Sequence, residues 1–145
     1  MKNFILTLKD LHEQDGEKSE SEFSAVCSYE GDENSYSLSY NESGFDPASS
    51  QIKIKVTDKK RVEVLREGAF NTQLIIEEGV RHTCFYETPY GEFTIGVYAE
   101  SVRSQIGENG GTLELSYSLD FNSGLASKNK MTITLKEAAD NVTAC

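Results

Sequence analysis

Leu113-Glu114-Leu115-Ser116-Tyr117-Ser118-Leu119-Asp120-Phe121 alternates apolar and polar residues without a break. On a helix, an apolar stripe starting at Leu113 would have to pass through Ser116 and Asp120. A strand instead puts Leu113, Leu115, Tyr117, Leu119 and Phe121 on one face and the polar residues on the other. The segment therefore reads as a β-strand with one face buried and one wet.

Working outward, the same period recurs over 2–12, 20–30, 34–42, 50–57, 60–67, 69–78, 80–89, 91–100 and 129–137, with the quoted strand spanning 111–122. Turn chemistry separates them: Asp15-Gly16, Glu30-Gly31-Asp32-Glu33-Asn34, Asp58-Lys59-Lys60, Glu67-Gly68 and Glu78-Gly79. Thr88-Pro89-Tyr90-Gly91 has proline and glycine where a type I turn wants them. Short connections pair neighbours antiparallel, and so many half-buried strands close their edges best as a barrel. The expected fold is all-β: a single antiparallel up-and-down barrel of about eight to ten strands, over residues 1–137. Residues 138–145 form a small polar tail expected to fray.

Three places are ambiguous. In the first strand Phe4, Leu6 and Leu8 compete with Ile5 and Leu11 for the inside. Residues 101–110 suit either a helical turn with Val102 and Ile106 on one side or a bent continuation of the preceding strand. Gly96 lies within a strand, where a bend at a barrel corner is the ordinary explanation and close approach by another group the alternative.

The chain carries 24 Asp and Glu against 14 Lys and Arg, a formal net charge of −10. That field repels phosphate backbones and anionic headgroups, which argues against nucleic acid and membrane partners. The amino-terminal apolar run is too short and too regular for a signal sequence, and no segment approaches a membrane span. Cys27, Cys84 and Cys145 are odd in number and widely spaced, which suits a reducing cytoplasm rather than a disulfide framework.

Taking the apolar parity of each strand as inward places several polar groups inside with the aliphatic ones. Arg66 continues Val62 and Val64; His82, Tyr86 and Thr88 follow Val80; Tyr36, Tyr40 and Tyr117 share the inner rows. An apolar cavity with a few placed polar groups is what a small-ligand site looks like. An inward arginine must meet a carboxylate, a phosphate or water, since an isolated buried charge is very costly. The plain alternatives are an Arg66 at the rim reaching solvent, and tyrosines that pack their rings and wet their hydroxyls. His82 and Cys84 share a face, but no spacing supplies further ligands, so neither a metal nor a cofactor is expected.

From about Tyr36 to Lys136 the order of features resembles the YwiB-like family. The residues that carry the resemblance begin with Tyr36-x-Leu38-Ser39-Tyr40-x-Glu42, Ile52-Lys53-Ile54 and Val64-x-Arg66-x-Gly68. They continue with Tyr86-x-Thr88-Pro89-Tyr90-Gly91, Gly110-Gly111-x-Leu113-x-Leu115-x-Tyr117-x-Leu119 and Asn129-x-Met131-x-Ile133. The resemblance implies a calycin-like, lipocalin-related barrel, a bacterial cytoplasmic setting and no established activity; it transfers no catalytic residue.

Three functions compete. The first is a non-enzymatic barrel binding a small anionic or polar-headed ligand through Arg66, Tyr36, Tyr40, His82, Tyr86, Thr88 and Tyr117. The second is a filled barrel serving as a protein interaction module, homodimeric in one version, with the acidic surface and the Phe45-Asp46-Pro47 loop as its hooks. The third is an enzyme using His82 with a tyrosine or Cys84, for which no nucleophile–base–orienter pattern is present.

Overall fold

The ten expected segments are the ten strands. In the computed structural model these are β1 (Lys2–Gln14), β2 (Glu17–Gly31), β3 (Tyr36–Asn41), β4 (Gln51–Thr57), β5 (Arg61–Glu67), β6 (Thr72–Glu77), β7 (Arg81–Thr88), β8 (Gly91–Gly107), β9 (Gly110–Phe121) and β10 (Gly124–Glu137). The structure describes residues 2–41, 51–68, 71–88, 90–121 and 124–137. Pro89, Phe70, the 42–50 connection with its Phe45-Asp46-Pro47 stretch, and the 138–145 tail lie outside the described residues. Each strand pairs antiparallel with its sequence neighbour, and β1 pairs with β10 to close the barrel.

Alternating directions give the barrel two ends. The proximal end carries Lys2, Glu137 and the β2–β3, β4–β5, β6–β7 and β8–β9 connections; the distal end carries the other five. The first distal connection is the expected Asp15-Gly16 reversal, with φ of 54° and 80°. Two positive φ values match the hairpin turn whose twist suits flanking strands, and glycine takes the second without strain.

The ladders divide the wall unevenly. β7 through β2, by way of β8, β9, β10 and β1, form a continuous sheet that includes strands of 17 and 15 residues. β3 to β6 form a shorter sheet of six- and seven-residue strands. The two sheets join at thin seams: β2 meets β3 only over Ser28–Gly31, and β6 meets β7 only at Thr72 with Tyr86 and Gln73 with Phe85.

Side chains and loop backbone bridge the β6–β7 seam where the ladder lapses. Ile75 N–H donates to Cys84 Sγ at 3.2 Å, and His82 Nε2 lies 2.9 Å from Glu77 Oε1. Beyond Glu77 the chain crosses to β8: Glu78 bridges Ala99, Gly79 N–H donates to the Ala99 carbonyl, and Val102 N–H donates to Glu78 Oε1 at 3.0 Å. That crossing sits at a bulge, where the β8–β9 register jumps from Ala99 to Ser101.

The bulge settles the 101–110 ambiguity in favour of a continued strand. One extra residue flips the parity, so Ile95, Val97 and Ala99 are followed inward by Val102, Ser104 and Ile106. The first strand is settled too: Phe4 and Leu6 are fully buried, and they face Cys27 and Ala25 across β2. Gly96 marks a close approach rather than a corner. Arg81 Nη2 reaches Asp120 Oδ1 at 2.5 Å and Arg81 Nε reaches Oδ2 at 3.2 Å, and this fork spans β7 to β9 directly over Gly96. A Cβ on Gly96 would fall on the guanidinium, so only glycine lets the pair lie flat on β8.

The core fills the proximal end and the middle. Phe4, Leu6, Leu38, Ile54, Val56, Val62, Ile76, Leu113, Leu115 and Ile133 are essentially sealed. Each side chain of this size contributes about 1.5–3 kcal/mol by leaving water. Tyrosines complete the plug: Tyr29 stacks obliquely on Tyr36 at 5.6 Å and meets the Phe4 ring edge-on at 5.8 Å.

Candidate functional site

The inner rows do not stay sealed toward the distal end. Leu8, Phe23, Tyr40, Val64, Leu74, Leu119 and Met131 hold inward register yet are only partly buried. These residues pack against the core while keeping part of their surface in solvent, so the interior is less tightly closed here than in the proximal plug. Polar residues share their inward rows toward this end.

On the short sheet, Tyr40, Ile52, Arg66 and Thr72 follow one another across the ladders as direct partners, and Thr72 pairs across the seam with Tyr86 of β7. Ile52 in that row is buried at 7% exposure, which fixes the short-sheet part of the row as inward. Arg66 is half-buried, and Tyr40 packs its ring on Phe23 at 5.8 Å. The row ends at Phe93 of β8, which pairs with Tyr86 and is 47% exposed. Thr88 lies further along β7, opposite Gly91 and beside the distal rim.

The long sheet supplies a second polar wall that the sequence reading left out. Once Phe4, Leu6 and Leu8 are inward, the same parity carries Asp10 and His12 inward. Asp10 pairs with Met131, and His12 with Asn129, which pairs in turn with Tyr117. Asn129, Tyr117 and Ser127 are all buried. His12 Nδ1–H donates to Asn129 Oδ1 at 2.7 Å, and Asn129 Nδ2 donates to Ser127 Oγ at 3.0 Å. Asp10 and His12 are thus polar residues on an inner row of the long sheet.

Electrostatics set this wall apart. Asp10 Oδ1 is sealed from solvent and has no hydrogen-bond partner among the described residues. Burial pushes the Asp10 carboxyl above the usual range, with the nearby His12 pulling back. Burial, reinforced by the Asp10 charge, raises the Tyr117 phenol well above its ordinary value.

The remaining site candidates are placed differently. Tyr36 belongs to the proximal plug: its hydroxyl lies 2.6 Å from Ser104 Oγ, and burial pushes its pKa to about 12. His82 faces the β6–β7 seam with Glu77 and does not join the Arg66 row. Cys84 gives its sulfur to Ile75 N–H, and burial raises its thiol above the ordinary value. The backbone therefore brings Arg66, Tyr40, Tyr86 and Thr88 toward the distal end, sets Tyr117 on β9 across from the short sheet, and leaves Tyr36 and His82 nearer the proximal ends of their strands.

Residues 6–133 match the family described as "Domain of unknown function (DUF1934)". The chain belongs to this family. The crystal structure of the ywiB protein from Bacillus subtilis is similar over 95% of this chain and 93% of that one, with a TM-score of 0.77 and 24% identity. The YwiB-like resemblance and the closed barrel are thereby shown. No curated protein matches the chain. Among the described residues of this DUF1934 barrel, no His, Cys, Asp or Glu cluster has a metal-holding arrangement, and no helix is long and apolar enough to cross a membrane.

Proposed function

We propose that this DUF1934 protein is a non-enzymatic cytoplasmic barrel that binds a small polar-headed ligand through its distal end. The observation that carries the proposal is the distal interior itself, where residues in inward register remain half-open to solvent. Aliphatic side chains there provide burial, and the Arg66 row provides polar recognition. Arg66 meets an anionic group on the ligand, because guanidinium–anion contacts are charge-assisted and directional. On a chain of net charge −10, an arginine set on the inner surface gives such a ligand a local attraction. The buried free thiols Cys27 and Cys84 suit a reducing compartment.

The test is a titration of the seven-tyrosine, tryptophan-free chain by intrinsic fluorescence with inorganic phosphate and small carboxylates as probes. Saturable binding that Arg66→Ala abolishes is the expected result. Binding that survives Arg66→Ala, or no saturable response to any of these anions, overturns the assignment.

One observation favours an interaction module as the second reading. Val26, 61% exposed, borders a shallow groove of about 520 Å³ at the β2–β3 seam, lined also by Ser28, Ser39, Tyr40 and Lys53. A second copy seated there would make the protein a homodimer, which sedimentation velocity detects. An enzymatic role for His82 has less support, because Cys84 is a buried thiol of raised pKa rather than an activated nucleophile.

A further inference from the structure

We propose that the Asp10–Tyr117 wall is a second recognition site within the lumen, and that it takes a protonated amine on the ligand. The proposal deepens the binding-barrel reading and rests on it. Its basis is a mismatch between what the wall offers and what the chain supplies.

An ionised carboxylate only accepts hydrogen bonds. Asp10 Oδ1 is sealed, yet no described donor reaches it. Native proteins rarely leave such an atom unsatisfied without a functional reason or a bound partner. Two of the wall's donors are committed elsewhere: His12 Nδ1–H goes to Asn129 and Asn129 Nδ2 goes to Ser127, while the Tyr117 hydroxyl makes no hydrogen bond to Oδ1. The lysines next to Asp10 on the β1–β10 ladder, Lys9 and Lys130, are on the outward parity, where they lie 4.0 Å from Glu22 and 3.8 Å from Glu114. Apart from the charge of nearby His12, no cation of the described chain acts on Asp10, which leaves Oδ1 to a cationic donor from outside.

The rest of the wall suits an ammonium group. Tyr117 is 6% exposed, and its hydroxyl makes no hydrogen bond among the described residues, so it can accept one. Leu8 and Met131 beside Asp10 are apolar and half-buried, and would cover an alkyl chain. A carboxylate in such surroundings gains more from a charged donor than from a neutral one, since the pair is poorly screened. The chemical class is a small molecule with a primary or secondary ammonium group on an aliphatic stem.

The experiment is an NMR titration of the isotope-labelled full chain with n-butylammonium, with tetramethylammonium matching the charge but lacking N–H donors. Inorganic phosphate, read at the Arg66 guanidinium, forms the third arm. Saturable shifts at Asp10, His12 and Tyr117 with n-butylammonium, at least tenfold weaker in Asp10→Asn and weaker in Tyr117→Phe, are expected. Equal response to tetramethylammonium, or an unchanged response in Asp10→Asn, overturns the amine site. Phosphate saturating at Arg66 while n-butylammonium does not also overturns it, yet leaves the lumen reading standing. Failure of both probes overturns both.

Discussion

Replacing Asp10 with asparagine should make the protein more stable. Asp10 Oδ1 is sealed and unpartnered, and burial holds the carboxyl above its ordinary pKa. Between the ordinary value and the raised one, the folded chain binds a proton that the unfolded chain has released. Stability therefore falls as pH rises through that window. Below it, Asp10 is protonated in both states and the substitution changes little. An unsatisfied buried polar group costs about 1–3 kcal/mol. Asp10 as a whole is only half-buried, so solvent screens part of the charge, and the asparagine keeps an acceptor at the same place. The gain thus belongs at the low end, about 1 kcal/mol at pH 8, or roughly 3 °C in Tm for a chain of this size. Urea denaturation of both proteins from pH 4 to pH 8, after refolding to remove any bound small molecule, measures the difference. It should be near zero at the acidic end and grow to a plateau. A variant less stable than the parent at pH 8, with the deficit growing as pH rises, would mean that a donor within the chain already satisfies Asp10. The case for a missing amine would then be lost.

Three other substitutions or reactions probe the frame. Gly96→Ala should part Arg81 from Asp120 and lower the urea midpoint slightly; adding Arg81→Ala should cost nothing more, and simple additivity would contradict the close-approach account. Ser104→Ala leaves the buried Tyr36 hydroxyl without its 2.6 Å partner and should cost about 1–3 kcal/mol; Tyr36→Phe with Ser104→Ala should cost less than the sum of the two single changes in the same denaturation assay. Cys27, with its thiol pushed up to about 11, and Cys84 should resist iodoacetamide at pH 8 in the native chain and react in urea, as peptide mass spectrometry would resolve.

Much of the barrel was legible because period-two alternation survives wherever one face is wet and the other dry. Ile52, Ile54 and Val56 stand between Gln51, Lys53, Lys55 and Thr57, and the burial of β4 repeats that pattern residue for residue. Legibility failed where the physical contrast failed. Asp10 and His12 are polar residues on an inner row, so composition alone makes them look like the wet face; only the parity of Phe4, Leu6 and Leu8 reveals them. Asn129 could have been found the same way, from Met131, Ile133 and Leu135. The bulge between Ala99 and Ser101 reverses parity within β8, which is why Val102 and Ile106, four residues apart, imitated a helical face. Arg66 shares the inward parity of Val62 and Val64 because β5 is short and regular. Tyr36 shares the inner rows with Tyr40 in the sequence, because parity tells inside from outside but says nothing of depth along the barrel.

The most direct test of the binding account is native mass spectrometry of the chain purified gently from its own cells. A discrete small-molecule adduct, absent from Arg66→Ala and diminished in Asp10→Asn, is the predicted result. The bare mass of the polypeptide in all three preparations would contradict it.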